Sequence, residues 1–508
     1  MGKFFDTDRK IRLGIWGLGR GGTFMNAANA LNYEIVAGCD YNPIIRDQFK
    51  EKCPDAFITD DEEEFLNTPM DAVLIATFFI SHAEHTIRAL EKGLHVMCEV
   101  TSFFTPAEGV KLVEAVERSG KVYNLLENYP FTRDNMYLAK LYREGFFGEF
   151  QYAEFEYLHD CRDLSYCYNS KGWPPVEPGY TAHSWRSILD FHYYNTHSLG
   201  PLMQITGLRP VSITGAMPEP SLAGALPETN WGKPCPSMIK MSNGGVMRNL
   251  CGSSAGNYHH GKRFWGTRAS AESLFANQDL TLCLGAHGSG PRFRVTSEWE
   301  SMGEEAEKNG HGGGDFWELY YFAREILYGT PSPWDVYAAC DVTLAGIMAV
   351  KSHEAGGEVM EIPDFRDKAI REKYRNDHFK MSCPVDPQHI FPEGHDPAIS
   401  SKFTGIMRKL FPAVTAIRSA IDGEKIYSNI NNETNKLALL KIYRSAIEQV
   451  DAVEEIYGDA QAILAHYPDS PAGKALETLL GDISGELADG FAALKARLEK
   501  IQSDCLAK

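Results

Sequence analysis

The chain contains no long apolar run and no cluster of basic residues. No stretch of about eighteen consecutive apolar residues occurs in its sequence, and the N-terminal segment mixes charged residues into the first strand pattern. The sequence therefore predicts a cytoplasmic protein without a signal core, a membrane span or a membrane partner. Lysine and arginine total 50 against 68 acidic residues, which gives a net charge of −18. This balance argues against a nucleic-acid partner and favours a small-molecule substrate.

Cysteine is present but is not organised into motifs. The eleven cysteines are an odd number, are scattered from Cys39 to Cys505, and include no Cys-x-x-Cys pair. No clustered spacing of cysteine and histidine accompanies them. The sequence therefore predicts reduced, buried thiols instead of a disulfide framework, and it predicts no metal site.

A glycine-rich turn near the N-terminus is typical of dinucleotide binding. The segment KIRLGIWGLGRGGTFM reads as a strand, a turn and a helix, with Gly17, Gly19 and Gly22 in the G-x-G-x-x-G spacing. These glycines permit a tight turn, close approach of a pyrophosphate and close helix packing. Asp40 ends a second strand, 18 residues beyond Gly22, where a carboxylate can bind the adenosine ribose hydroxyls. This favours NAD over NADP, while Arg46 nearby keeps NADP open.

Strand and helix patterns alternate from residue 10 to residue 148. The alternation predicts a doubly wound parallel sheet, that is, a Rossmann NAD-binding domain. Ligands of such sheets lie beyond the carboxyl ends of the strands, so residues at those ends are expected to face the cofactor. The predicted NAD contacts are Gly17, Leu18, Gly19, Arg20, Gly21, Gly22, Asp40, Thr77, Phe78, His82, Glu99 and Asn128.

Three further parts follow this domain, so the predicted fold class is α/β with an α+β domain and a helical extension. Strand-like stretches between 149 and 365 predict a substrate and oligomerisation domain with an open antiparallel sheet, of the kind that forms dimers or tetramers. The Pro-rich stretch 366–400 predicts a linker. Residues 401–508 show helical spacing and predict an extension that serves as an oligomer contact, a lid over a neighbour's pocket, or added bulk.

Several motifs resemble a known family of enzymes. The run ATFFISHAEHTIRALEKGLHVMCEV resembles the glucose-fructose oxidoreductase and inositol dehydrogenase (Gfo/Idh/MocA) family, and LLENYPFTRDN, YYNTHSLGP and HGGGDF are similar to its NAD-dependent branch, glycoside hydrolase family 109. In the wider family the last of these strands ends Glu-Lys-Pro, and the lysine helps to move the proton of the substrate hydroxyl. This chain has Glu99, Val100 and Thr101 there, and no lysine occurs between Lys92 and Lys111. Family 109 also has Glu-Val at this place.

The resemblance spans residues 10 to 365 and implies a carbohydrate enzyme that keeps and recycles its NAD. It implies oxidation of a sugar hydroxyl, usually at C3, after which the ketone acidifies the C2 hydrogen and loss of that proton expels the C1 substituent. Water then adds at C1 and the hydride returns to the sugar. Such an enzyme cleaves glycosides without a pair of carboxylates flanking the bond. The missing lysine then implies another base.

His197, in YYNTHSLGP, is the predicted base, because imidazole can both take and return a proton. Tyr194 lies three residues earlier, on the same face if the stretch is helical, and can bind the sugar or handle the C2 proton. Family 109 places a catalytic tyrosine soon after Leu-Glu-Asn, where this chain has Phe131. Tyr129 can supply a phenol from a different position, and the choice between Tyr129 and Tyr194 stays open.

Carboxylates and aromatic residues complete the predicted site. Glu99 and Glu127 are predicted nearest the nicotinamide, Glu99 as a catalytic candidate and Glu127 as a capping or supporting group. The aromatic-rich segment 152–194 suits the C–H faces of sugar rings and predicts a substrate-capping loop. Arg186 matches a substrate-holding arginine of family 109. The predicted substrate contacts are Arg186, Tyr157, Trp185 and His311.

Three functions are compatible with these residues. The leading prediction is a glycosidase that works through transient oxidation, motivated by Val100 in place of the family lysine and by the motif around His197. The second is a sugar or cyclitol dehydrogenase with net NADH production. The third is a non-catalytic dinucleotide or sugar sensor whose helical tail binds a partner. The sequence does not indicate which sugar, anomer or aglycone is bound.

Overall fold

The N-terminal part of the computed structural model is a six-stranded parallel sheet. The structure describes residues 4–160, 189–253, 260–273, 279–286, 288–382 and 390–507. The strand order is β3-β2-β1-β4-β5-β6, so the order reverses direction between β1 and β4, as in dinucleotide-binding sheets. The strands are β1 (Ile11–Trp16), β2 (Tyr33–Cys39), β3 (Phe57–Thr59), β4 (Ala72–Ile75), β5 (His95–Glu99) and β6 (Tyr123–Leu126). The predicted doubly wound sheet is confirmed.

Helices connect these strands, and capping residues set where several of them begin. The Asn42 side chain accepts a hydrogen bond from the backbone of Ile44 at the start of α3, and Thr105 and Glu108 form a reciprocal capping box at the start of α6. The helices are α1 (Leu18–Gly21), α2 (Met25–Ala30), α3 (Pro43–Lys52), α4 (Glu62–Asn67), α5 (His82–Glu91), α6 (Pro106–Ser119) and α7 (Arg133–Arg143).

The second sheet has nine strands in the order β14-β13-β12-β11-β7-β10-β9-β8-β15. Its neighbours are antiparallel except β7 and β10, which run parallel because a long connection separates them. The sheet was predicted to be antiparallel throughout, and it differs from that prediction in one parallel pair of strands, β7 and β10. The strands are β7 (Phe150–His159), β8 (Pro210–Gly215), β9 (Pro234–Met241), β10 (Val246–Ser253), β11 (Lys262–Gly266), β12 (Ala269–Ser273), β13 (Leu280–Leu284), β14 (Arg292–Val295) and β15 (Met360–Glu361).

A long buried helix joins the two sheets. The helices of this region are α8 (Thr196–Thr206), α9 (Gly303–Ala306), α10 (Gly314–Tyr328) and α11 (Val336–Glu354). Helix α11 contacts β8 of the second sheet and also α6 and β6 of the first unit. It lies so close to β8 that a Cβ on Gly215 would be 2.3 Å from the carbonyl oxygen of Ala349. The two sheets thus share one apolar core.

The stretch predicted as a linker is anchored to the N-terminal unit. It contains α12 (Lys368–Glu372) and α13 (Pro397–Ser400). The guanidinium of Arg371, a buried residue, donates to both carboxylate oxygens of Glu117 on α6, at 2.8 and 2.9 Å. The domain limits drawn from the sequence stay predictions.

The C-terminal helices form a second apolar core and confirm the predicted helical extension. They are α14 (Phe403–Ile426), α15 (Glu433–His466), α16 (Pro471–Ser484) and α17 (Phe491–Leu506). The segment between β8 and β9 packs into this core, where the ring of Trp231 lies 5.8 Å from that of Phe411. Within the described residues, no helix is both long enough and apolar enough to cross a membrane.

Candidate active site

Glu127 and His197 form a buried hydrogen-bonded pair. Glu127 directly follows β6, and His197 lies in the first turn of α8. Nδ1 of His197 is 2.8 and 3.0 Å from the two carboxylate oxygens of Glu127, and the two residues are 7% and 0% exposed, His197 first. Because a carboxylate only accepts, Nδ1 carries a proton, and the neutral ring has its lone pair on Nε2. Glu127 therefore orients a histidine that can act as a base.

Close packing of α8 holds this pair in place. Gly200 follows His197 by one turn, and a Cβ there would lie 3.1 Å from Cγ of Glu127 and 3.3 Å from Pro130. A side chain at this position would push the helix away from the carboxylate. Close packing against Glu127 and Pro130 therefore explains why the YYNTHSLGP motif has a glycine one turn after the predicted base.

Three tyrosines surround the ring of His197. The ring centroids of Tyr129, Tyr157 and Tyr194 lie 4.9, 4.6 and 5.2 Å from that of the imidazole. They come from the turn after β6, from β7 and from the turn before α8, so the fold brings together three separate segments. Both phenols that the sequence left open are therefore beside the histidine. Phe131 is fully buried, with its ring 5.1 Å from that of Tyr321, and serves the core.

Two further histidines border the same aromatic cluster. The ring of His260 stacks on Tyr157 at 4.9 Å and meets Tyr129 edge-on at 4.8 Å. The ring of His311 is 6.2 Å from that of Tyr129, and its contact with a substrate stays a prediction. No sequence motif pointed to His260, because it stands in a loop and only the pairing of β11 with β7 brings it here.

Arg20 links the glycine turn to two other segments. Its guanidinium donates to Glu99 at 2.6 Å and to both oxygens of Asp315 at 2.9 Å, and Nδ1 of His311 is 2.9 Å from Asp315. Burial favours the neutral acid, but the neighbouring Arg20 and His311 lower the pKa of Asp315 below its ordinary value. The predicted residues Arg20 and His311 thus both contact Asp315, and Glu99 joins this network through Arg20. Only its place in HGGGDF marked Asp315 in the sequence.

Glu318 is a buried acid beside this network. It lies one turn after Asp315 on α10, and neither of its carboxyl oxygens has a hydrogen-bond partner among the residues that the structure describes. Burial, then the charges of Asp315 and Glu99, raise the pKa of Glu318 well above its ordinary value. The folded structure therefore favours the protonated form of Glu318. No motif in the sequence pointed to this residue.

The glycine turn has the shape that a dinucleotide requires. Gly17 has a φ of +91°, and a Cβ there would lie 2.4 Å from the carbonyl oxygen of Ala76, so only glycine fits. The carboxylate of Asp40 accepts from the backbone N–H groups of Leu18 and Asn42 at 2.8 and 2.9 Å. Asp40 thereby fixes the turn while it lies at the end of β2, where the ribose was predicted.

Arg46, the residue that kept NADP open, is occupied elsewhere. Its guanidinium donates to the carbonyl oxygens of Asp40 and Tyr41 and pairs with Asp60 at 2.9 Å. An arginine already committed to these partners is not poised for a 2′-phosphate. This arrangement supports the preference for NAD.

The other predicted cofactor contacts lie at the ends of β4, β5 and β6. His82 is buried, with Nδ1 2.8 Å from the carbonyl oxygen of Thr101 and Nε2 3.1 Å from that of Thr77, and it joins two strand ends. Burial lowers its pKa. The ring of Phe78 lies 6.0 Å from that of Tyr41 beside the glycine turn. Oδ1 of Asn128 is buried and has no hydrogen-bond partner within the described part of the chain, which suits an incoming ligand donor.

The predicted substrate contacts Arg186 and Trp185 lie outside the described residues, as does most of the aromatic-rich segment before α8. The contribution of this segment to the site stays a prediction. The site as described is therefore built from the ends of the parallel strands, β7, the start of α8 and the start of α10.

Two family descriptions match consecutive parts of the chain. Residues 11–126 match the oxidoreductase family with an NAD-binding Rossmann fold. Residues 131–210 and 297–372 match the C-terminal domain of glycosyl hydrolase 109. The first match ends at Leu126, directly before Glu127, and the second includes His197, so the pair described above lies where the two parts meet.

Known proteins agree with both matches. An α-N-acetylgalactosaminidase of Tannerella forsythia is 27% identical over 60% of this chain and 72% of its own length. A glycosyl hydrolase family 109 protein of Parabacteroides distasonis is 28% identical over 70% of this chain and 87% of its own. An inositol dehydrogenase homologue of Azotobacter vinelandii, solved with NADH and myo-inositol, has the same fold, with a TM-score of 0.56, 19% identity, and coverage of 70% of this chain and 98% of its own. The protein is thus an enzyme of the Gfo/Idh/MocA type that carries an NAD-binding Rossmann domain followed by a glycosyl hydrolase 109 C-terminal domain.

Proposed function

We propose that the protein is an NAD-dependent glycosidase that cleaves a glycosidic bond through transient oxidation of the sugar at C3. The observation that carries the proposal is the buried Glu127–His197 pair at the carboxyl edge of the NAD-binding sheet. It supplies a base in a chain that has no lysine between Lys92 and Lys111. The family 109 relatives support the same reaction class.

His197 takes the proton of the sugar hydroxyl that is oxidised. Its Nε2 holds the lone pair, and the Glu127 carboxylate stabilises the positive ring that forms, as a carboxylate does for other catalytic histidines. When bound, NAD accepts a hydride from the sugar and later returns it. When the hydride returns to the sugar, the same Nε2 gives the proton back. His197 therefore ends each turnover in the protonation state in which it began.

A tyrosine moves the C2 proton. Tyr194 and Tyr129 both lie within ring contact of His197, and either phenol can exchange a proton with the carbon next to the ketone once ionised. We favour Tyr194, because the ring of Tyr129 is packed between those of Tyr157, His197 and His260, at 5.1, 4.9 and 4.8 Å. The aromatic faces of this cluster suit the C–H surface of a sugar ring.

The hydrogen bonds of Arg20 to Glu99 and Asp315 hold the two sides of the site at a fixed distance. Arg20 is fixed by Glu99 at the end of β5 and by Asp315 at the start of α10. Because α10 belongs to the glycosyl hydrolase part, this ion pair joins the dinucleotide turn to the sugar side. Reacting atoms on the two sides then keep a constant separation, which hydride transfer requires.

A dehydrogenase with net NADH production is the second candidate. The Glu127–His197 pair can accept a hydroxyl proton whether or not elimination at C2 follows. The two functions differ in what accumulates. Glycosides of nitrophenol, in both anomeric forms, are incubated with the enzyme as purified while nitrophenol and the 340 nm absorbance of reduced cofactor are followed together.

The glycosidase predicts steady release of nitrophenol without growth of reduced cofactor, and its loss in His197→Ala. His466→Ala, an exposed histidine of α15, is the matched control and keeps full activity. Growth of reduced cofactor with free sugar and no nitrophenol would replace the proposal with the dehydrogenase. Cofactor binding without any turnover would leave the non-catalytic dinucleotide or sugar sensor as the remaining function.

We further propose that the protein acts as a homo-oligomer in the cytoplasm. The second sheet exposes Met238 on β9 and Trp265 on β11 on the same face, where they are 45% and 37% exposed. Exposed apolar side chains on an open sheet face support pairing of two copies. Sizing chromatography of Trp265→Glu is expected to show a smaller species than the parent chain, and an unchanged elution would remove this face from the contact.

A further inference from the structure

A second cluster of potential ligands lies away from the sugar pocket. Asp190, His192 and His353 come together where the turn that leads into α8 meets the C-terminal end of α11. One ligand atom from each lies within 4.8 Å of the others, and the side chains are 0%, 0% and 14% exposed. The proposed glycosidase reaction uses none of the three. Their convergence in the core therefore needs a separate reason.

The carboxylate of Asp190 lies between two imidazoles. Oδ1 is 2.9 Å from Nδ1 of His192, and Oδ2 is 2.7 Å from Nε2 of His353. The same carboxylate also accepts from the backbone N–H of His192 and from the side-chain amide of Asn230. These two neutral donors fix the orientation of the Asp190 carboxylate independently of the two imidazole rings.

The other nitrogen of His192 faces a backbone acceptor. Nε2 lies 3.4 Å from the carbonyl oxygen of Pro236. With its proton on Nε2, the neutral ring turns the lone pair of Nδ1 toward Asp190, which is the tautomer that a metal ion between them needs. A ring N–H pointed at a carbonyl is also the arrangement that fixes metal-binding histidines elsewhere.

The donor set selects the metal. Two imidazoles and one carboxylate suit zinc better than magnesium or calcium, which prefer all-oxygen sites.

We propose that Asp190, His192 and His353 bind one Zn²⁺ ion. Zinc–ligand bonds of about 2.0–2.2 Å place neighbouring donor atoms roughly 3.3 Å apart, so the two Asp190–imidazole pairs open by about half an ångström as the ion enters. Neutral imidazoles bind the ion, and Nε2 of His192 keeps its proton and faces the carbonyl oxygen of Pro236.

The ion has a structural role in this protein. Asp190 begins the turn Phe191–Tyr194, and His197 follows in the next turn of chain. Helix α11 presses on this turn so closely that a Cβ on Gly346 would lie 2.6 Å from the carbonyl oxygen of His192. Zinc would tie the turn to α11 through His353. It would thereby stabilise the segment that carries Tyr194 and His197 without touching the sugar.

Zinc content of the full-length protein tests the proposal. The chain is produced in zinc-supplemented medium, dialysed against metal-free buffer and assayed by plasma mass spectrometry. About one zinc per chain is expected, together with a Co²⁺-substituted form that shows the visible absorption of a tetrahedral site. His353→Gln is expected to weaken zinc binding by about a hundredfold or more, and His466→Gln is the matched control.

Failure of parent protein to retain zinc or cobalt, even when either is supplied in excess, would show that a ring proton holds the cluster and would overturn the proposal. Equal zinc in the parent chain and in folded His353→Gln would do the same. Neither result depends on glycoside cleavage, so the proposed function stands or falls separately.

Discussion

Nδ1 of His197 donates to Glu127 across the boundary between the NAD-binding part and the glycosyl hydrolase part, at 2.8 Å. Glu127 directly follows the last strand of the parallel sheet, and His197 lies in the part that matches the glycosyl hydrolase C-terminal domain. The pair fixes which nitrogen of the imidazole carries the proton. In the proposed function this pair supplies the base in place of the lysine of the wider family.

Glu127→Gln should leave the site assembled but weaken the base. The amide has no charge to stabilise the imidazolium and can hold the wrong tautomer, so turnover should fall by about 10²–10⁴-fold. The Michaelis constant and the affinity for NAD should change little, as measured by steady-state kinetics and by fluorescence titration of the cofactor. Glu300→Gln, at an exposed ion pair with Arg143, is the control that keeps the parent rate. A parent-like rate in Glu127→Gln would remove the pair from catalysis.

The two tyrosines beside His197 can be separated by isotope exchange. Tyr194→Phe should slow exchange of the C2 hydrogen with solvent by about 10²-fold or more, because general acid–base groups contribute on that order. Tyr129→Phe should alter substrate affinity instead, since its ring packs among three others. Proton NMR of the sugar product measures both. The reverse result would assign the C2 proton to Tyr129.

The fold was largely predictable from the sequence, and the site only in part. The spacing of Gly17, Gly19 and Gly22 and the acid at Asp40 specify local structure, so they indicated the parallel sheet correctly. His197 was recognisable because its motif is contiguous. Asp315, Glu318 and His260 were not, because their neighbours lie far away in sequence and only tertiary packing brings them together. The same holds for the cluster of Asp190, His192 and His353, whose spacing resembles no metal motif.

A buried ion pair supports the turn that carries Tyr129. Nζ of Lys262 lies 2.6 Å from Asp134 and 2.6 Å from Asn135, whose side-chain amide donates to the carbonyl oxygen of Tyr129. Lys262→Met leaves the Asp134 carboxylate buried without its partner and should cost about 3–5 kcal/mol in urea unfolding.

The double variant Lys262→Met with Asp134→Asn should recover much of this loss, because no uncompensated charge remains buried. Lys495→Met, at an exposed pair with Asp451, should change the free energy of unfolding by less than about 1 kcal/mol. If the double variant were as unstable as the single one, packing of the lysine stem, not charge, would explain the loss.

Glu318 makes the stability of the cofactor-free protein depend on pH. Its raised pKa means that the folded protein keeps a proton that the unfolded chain releases above the ordinary glutamate pKa of 4.5. Stability therefore falls as pH rises through this window. Glu318→Met should be more stable than the parent by about 1–3 kcal/mol at about pH 8, with the difference shrinking toward about pH 5. Thermal melts over this range measure it, and a gap independent of pH would show that Glu318 is ionised in the folded state.

The central claim is that a sugar bond breaks through a ketone at C3 and loss of the C2 proton. The most direct test is cleavage of a nitrophenyl glycoside in deuterium oxide, with the C2 position of the released sugar examined by NMR. The account predicts deuterium at C2, with no net NADH formed. Release of nitrophenol with a fully protonated C2 would contradict it, because the bond would then have been broken without oxidation of its neighbour.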